Sequence, residues 1–201
     1  MKRGTVRTIS VTIVILLIAS MAMSLAGCSS DPLAEQYRSG ENKNYIAGDG
    51  TVTEFALDSR PTFASFSGTT ESGAFLDSAN LAGSVVVMNW WYSSCAPCRA
   101  EAPDLAALHE EFAPLGVEFL GVNVRDSAET ALAFDRNFNI GFPSIIDAQT
   151  GSASLAFTGV VSPQAVPTTV VIDRQGRVAS RILGRIDPSI LRTLIKSVVD
   201  E

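Results

Sequence analysis

Cysteine, histidine and tryptophan are scarce in this chain, whose 201 residues include three cysteines, one histidine and two tryptophans. The single histidine, His109, and two neighbouring thiols fall short of the four ligands of a structural zinc site. Copper transfer is no better served, since Met21 and Met23 lie in the N-terminal apolar run and Met88 lies in a strand-like segment. No bound metal is expected. Basic charge is also in short supply, 15 Lys and Arg against 21 Asp and Glu for a net charge of −6, which argues against nucleic acid as a partner. Internal repeats and low-complexity tracts are absent, and one globular domain is expected after the N-terminal run.

What is present begins with one long hydrophobic stretch, Ile9 to Ala26, preceded by Lys2, Arg3 and Arg7. It ends in Leu25-Ala26-Gly27-Cys28, which resembles a bacterial lipoprotein signal with its lipobox. That resemblance implies that residues 1–27 are a cleaved signal peptide, with Cys28 carrying a lipid that anchors the protein to the outer face of the cell membrane. An uncleaved membrane anchor is the alternative, and both place the domain outside the cytoplasm. Removing residues 1–27 leaves 12 basic against 21 acidic residues, a net charge of −9. Residues 28–59 are read as a tether followed by an N-terminal extension, the part from Ser29 to Asn44 being rich in small and polar residues.

Residues 60–201 form the expected domain. Thr62 to Phe66 and Gly73 to Leu76 are expected to pair as a hairpin. Beyond Gly83 apolar strand-like runs alternate with helical patterns: strand Val85 to Trp91, helix Cys95 to Phe112, strand Val117 to Val124, helix Ala128 to Phe138, and a short strand Ser144 to Ile146. A short helix is expected at Ser154 to Phe157, then strands Thr168 to Ile172 and Val178 to Ile182 about the turn Asp173-Arg174-Gln175-Gly176, and a closing helix Pro188 to Val199. Such alternation indicates an α/β architecture with a parallel core and a closing hairpin.

With Cys28 set aside, the remaining cysteines are Cys95 and Cys98, one helical turn apart behind the apolar run. So short a loop makes a poor staple of the unfolded chain. A thiolate exposed at a helix N-terminus is stabilised by the dipole and by free N–H groups, and a second thiol within reach resolves a mixed disulfide. Cys95 is therefore the expected attacking thiol and Cys98 the resolver. Ala96 and Pro97 restrict the loop between them. Peroxidase chemistry is disfavoured, because the Pro-x-x-x-Thr-x-x-Cys setting of a peroxidatic cysteine is absent around Cys95.

These motifs occur in an ordered set: Asn89-Trp90-Trp91, Cys95-Ala96-Pro97-Cys98-Arg99-Ala100-Glu101, Phe142-Pro143, and Val166-Pro167-Thr168-Thr169 followed by Val170-Val171-Ile172-Asp173. The set resembles the membrane-tethered thioredoxin-like thiol-disulfide oxidoreductases of the TlpA/ResA type. The resemblance implies a thioredoxin-like fold with an N-terminal β-hairpin extension and a central αβ insertion. It also implies a cis bond before Pro167, which would turn the Val166 backbone outward to pair with an extended substrate; an ordinary trans proline opening an edge strand is the alternative. Glu101, one turn beyond Cys98, is implied to hold and pass a proton during exchange, against the reading of a surface carboxylate kept for the helix dipole. Asn89 departs from thioredoxin, which has a buried acid there, and this directs any proton relay to Glu101 or solvent. Trp91 is expected either to line the site or to belong to the core, Pro103 to kink the long helix, and His109 to be a solvated residue near its end.

The function so implied is an extracytoplasmic reductase of exported protein disulfides, working through a mixed disulfide on Cys95, with no cofactor beyond the Cys95–Cys98 disulfide. Apocytochrome c is the implied substrate, a membrane thiol-electron transporter the implied donor, and a monomer the expected state. A disulfide-forming oxidant and a non-catalytic peptide-binding or redox-sensing module stand as alternatives.

Overall fold

The computed structural model describes residues 51–162 and 164–201. The expected signal segment, Cys28 as the expected lipidation site, and the expected tether lie outside the described residues. The described residues form eight strands: β1 Val52–Glu54, β2 Ser67–Thr69, β3 Phe75–Asp77, β4 Val85–Trp91, β5 Val117–Asn123, β6 Ser144–Ile146, β7 Thr168–Ile172 and β8 Val178–Leu183. The helices are α1 Ala96–Phe112, α2 Ala128–Phe138, α3 Ser152–Ala156 and α4 Pro188–Val199. Six strands form one mixed sheet in the order β1-β8-β7-β4-β5-β6, with β4, β5 and β6 parallel and β4-β7-β8-β1 antiparallel. This is a thioredoxin-like fold. The parallel pairs require crossovers, supplied by α1 between β4 and β5 and by α2 between β5 and β6.

All of β4 is buried because both faces of the sheet are covered. Its side chains alternate between two cores. Val85 and Val87 join Leu105, Leu108 and Phe112 of α1 and Leu191, Leu194 and Ile195 of α4, whereas Val86, Met88 and Trp90 pack with Phe66, Phe157 and Ile145. Pro103 lies inside α1, which continues through it to Phe112.

The N-terminal hairpin is present, but its first arm differs from the expected one: Ser67–Thr69 pairs with Phe75–Asp77. Thr62 instead bridges Arg177. The reason is aromatic packing, since Phe63 stacks on Phe157 with centroids 4.3 Å apart and Phe66 lies 5.9 Å from the same ring, so this segment is drawn into the core. Residues 52–54 of the extension add β1 to the free edge of β8.

Candidate active site

Parallel β4 and β5 deliver their C-terminal ends to one edge of the molecule, and α1 starts there. Cys95 is the N-cap of α1 with extended backbone, and its sulfur accepts a hydrogen bond from the Cys98 N–H at 3.3 Å. Pro97 sits in the first turn, where no N–H is needed. Cys95 and Cys98 are joined in a disulfide. An exposed first cysteine was expected, and the structure corrects this: in the disulfide state Cys95 is 0% and Cys98 3% exposed. They share a cluster with Trp91, Tyr92, Ala102, Phe134 and Val166. Ala96 is the exposed residue of the motif, with Pro97 half-buried.

The antiparallel pairing of β4 with β7 sets Trp90 opposite Thr168, which brings the segment before β7 alongside the dithiol. The Val166–Pro167 peptide bond is cis. Val166 is only 1% exposed, so the expectation that it faces outward is corrected for this state: it packs in the same cluster as the two sulfurs.

Glu101 is 0% exposed, which removes the reading of a surface carboxylate. Its Oε1 accepts from Asn89 Nδ2 at 2.9 Å and its Oε2 from the Ile186 N–H at 2.9 Å. Burial pushes the carboxyl up to about 8, because desolvation outweighs these two hydrogen bonds and the distant help of Arg185, while Asp104 adds a small repulsion. Asn89 spends its second amide proton on Thr169 Oγ1 at 3.0 Å.

Asn89, Cys98, Trp91, Ala102, Phe134 and Ser144 border a cavity of about 20 Å³, enough for a single water. Trp91 thus serves both of its expected roles. It is buried, with its ring 4.3 Å from Phe134 and its indole N–H on Ser144 Oγ at 3.1 Å, and it walls the cavity behind Cys98. His109 is not a solvated residue. It packs edge-on against Phe119 and Phe142 at 5.3 and 5.5 Å, with a buried Nδ1 that has no hydrogen-bond partner among the described residues. The sequence around it shows an amphipathic helix end, and only the sheet brings the two rings to it.

A family model described as AhpC/TSA matches residues 60–181. The chain belongs to the AhpC/TSA family. Its relatives make it a thioredoxin-like member of the TlpA/ResA type. It is 29% identical over 120 residues to the thiol-disulfide oxidoreductase ResA of Bacillus subtilis, covering 60% of this chain and 64% of that protein. It is 32% identical over 117 residues to the thiol:disulfide interchange protein HelX of Rhodobacter capsulatus, covering 58% and 62%. The match therefore spans less than two thirds of these relatives' own length. A secreted thiol-disulfide isomerase from Corynebacterium glutamicum superposes with a TM-score of 0.69 and 30% identity, over 78% of this chain and 97% of that one.

In this AhpC/TSA member, several residues beside the site carry no obvious motif. Asp126, in the turn between β5 and α2, accepts from the Ser93 N–H at 2.6 Å, the Ser93 hydroxyl at 2.8 Å and Asn123 Nδ2 at 2.8 Å. Asn123 Oδ1 in turn accepts from the Arg125 and Asp126 N–H groups at 3.1 and 2.7 Å. An Asn-x-x-Asp spacing just past a strand was the available signal, a turn in which both side chains bond backbone. Glu71, at the hairpin tip, was also missed: it accepts the Ser144 N–H at 2.6 Å, and no local pattern announces a contact across 73 positions.

Proposed function

We propose that this protein is an extracytoplasmic thiol-disulfide oxidoreductase that reduces disulfides of exported proteins. The observation that carries it is a Cys95–Cys98 disulfide at the start of α1, beside the cis Val166–Pro167 bond and one turn from the buried Glu101. The names of the relatives agree with this reading. In the reduced protein the Cys95 thiolate attacks a substrate disulfide, forms a mixed disulfide and releases one substrate thiolate. Cys98 then loses its proton and attacks the Cys95 sulfur, freeing the second substrate thiolate and restoring the Cys95–Cys98 bond. Glu101, whose carboxyl is pushed up to about 8 by burial, is the group suited to take the Cys98 proton in its ionised form, by way of a water in the adjoining cavity.

The burial of Cys95 means that substrate must part the lining of the site. Val166 and Pro167, with Trp91, Ala96 and Pro97, are the surfaces that such a substrate would meet. The lipobox-like Leu25-Ala26-Gly27-Cys28 supports lipidation at Cys28 and attachment to the outer face of the membrane. Apocytochrome c is the proposed substrate and a membrane thiol-electron transporter the proposed donor; intact cytochrome c levels after deletion of the protein, with no response to added thiol, would remove that substrate.

The reduction potential of Cys95–Cys98, measured by equilibration with dithiothreitol or glutathione, tests direction. A potential near about −270 mV is expected for a reductant, and one near about −120 mV would instead mark a disulfide donor. Cys95→Ser is expected to abolish exchange and the cellular phenotype together. A phenotype that survives the substitution would indicate a non-catalytic binding module.

A further inference from the structure

We propose that Asp126 is a positioning residue that sets the acidity of Cys95 through the Ser93 loop; this rests on the exchange chemistry proposed above. Residues 92–94 connect β4 to the N-cap of α1, so their placement fixes where Cys95 meets the first turn. Ser93 is held on both sides. Its N–H and hydroxyl donate to the two Asp126 oxygens at 2.6 and 2.8 Å, and its carbonyl accepts from Arg99 Nη1 at 3.4 Å. Asp126 is itself fixed by the Asn123 amide at 2.8 Å, and Asn123 is fully buried. The clamp therefore runs from the core of β5 to the active-site loop.

Ser93 and Cys95 are two residues apart, so their Cα atoms lie within about 7.6 Å. Held on Ser93, two residues before Cys95, the Asp126 charge opposes the positive end of the α1 dipole, which is what favours a Cys95 thiolate. The other ionisable groups around it are Arg99 of α1, Arg125, whose guanidinium lies 4.3 Å from the centre of the Tyr92 ring, and Glu101 one turn beyond Cys98, whereas Glu129 in the first turn of α2 is bonded to Ser127 and not to the loop. The carboxylate thus keeps the attacking thiol less acidic and the dithiol more reducing than the helix terminus alone would make it.

The geometry provides a substitution that removes charge and little else. In Asp126→Asn the remaining oxygen can accept from the Ser93 N–H and Asn123, and the new amide can donate to the Ser93 hydroxyl, which reverses its role. Ser93→Ala does the opposite. It keeps the charge and deletes a donor that partly neutralises it.

The test is the pH dependence of alkylation of Cys95 in the reduced, full-length protein in detergent. Asp126→Asn is expected to lower the midpoint by about half a unit, which is about threefold faster alkylation below the midpoint and about a threefold shift of the glutathione equilibrium toward the dithiol. Ser93→Ala is expected to raise the midpoint. Glu129→Gln, which removes a charge not bonded to the loop, is expected to leave it in place. Opposite signs from Asp126→Asn and Ser93→Ala are a signature that simple loosening of the loop would not produce. An unmoved midpoint in Asp126→Asn, the same sign in both, or an equal shift in Glu129→Gln overturns the inference. Wild-type protein that alkylates normally but exchanges with no disulfide would instead overturn the proposed function and leave this inference standing on its own readout.

Discussion

At the scale of single residues, the most consequential placement is that of Glu101, sealed from solvent with two donors on its carboxylate. Its carboxyl titrates at about 8 instead of 4.5, so the folded protein holds a proton that the unfolded chain has released. Stability contributed by this group is therefore undiminished below about pH 4.5 and falls as pH rises toward 8, by a sum on the order of 4 kcal/mol. Glu101→Gln is expected to flatten that decline and to gain roughly 2–4 kcal/mol at pH 9, read from urea unfolding across pH. The same titration governs its effect on the thiols. Below pH 8 the wild-type residue is mostly neutral, so Glu101→Gln is expected to speed Cys95 alkylation only above that pH. Parallel alkylation profiles throughout would show that the two groups are uncoupled. The importance of position 101 was readable from its spacing to Cys98, but its burial was not, because Ile186 and Asn89 reach it from distant parts of the chain.

At the scale of elements, the N-terminal hairpin is tied to the redox site by a short relay. Glu71 at its tip accepts the Ser144 N–H and donates its own N–H to the Ser144 carbonyl at 3.0 Å. Ser144 Oγ holds the Trp91 indole. Gly121 makes room for that pair, since a Cβ there would collide with Ser144 Oγ and Trp91 Nε1. Glu71→Ala leaves a buried N–H without its partner and is expected to cost about 1–3 kcal/mol, with a change in Trp91 fluorescence that an unrelated surface substitution would not cause. It also removes a negative charge from near Asp135, whose carboxyl is raised to about 7 by burial first and by Glu71 second, with Arg136 opposing. The Asp135 titration is therefore expected to move toward the ordinary carboxylate range, measurable by NMR. An unchanged titration would show that burial alone sets it. The element types were legible in the sequence where a pattern was long, as in α1, α2 and α4 and in β4. The hairpin register was not, because aromatic burial of Phe63 and Phe66 competes with local pairing and is decided by Phe157, about 90 positions away.

At the scale of the whole molecule, Arg60 at the start of the family-matched region is joined by charge to the β7–β8 turn and to Glu201. Arg60 donates to Asp173 at 2.9 Å and to Glu201 at 2.7 Å, and Asp173 also receives Arg177 at 2.9 Å. The Glu201 carboxyl is held low chiefly by its hydrogen bond to Arg60, and that of Asp173 by its Arg177 and Arg60 hydrogen bonds, which together outweigh burial. Depressed carboxylates contribute stability above their unfolded titration range and lose it as pH falls through the folded one. Arg60→Met is therefore expected to lower the melting temperature at neutral pH, with the difference from wild type shrinking on acidification. A difference independent of pH would assign the loss to packing.

The sequence by itself determined the dithiol, its helix and the order of strands and helices along the chain, because each is written in neighbouring residues through spacing and periodicity, whereas the place of Pro167 beside the dithiol was implied only by the family resemblance. Only the tertiary structure decided which of those residues meet water. Cys95 and Val166 are covered, Glu101 is desolvated and Asp126 faces Ser93, because burial and long-range hydrogen bonds arise from segments that the sheet brings together and that no local pattern connects.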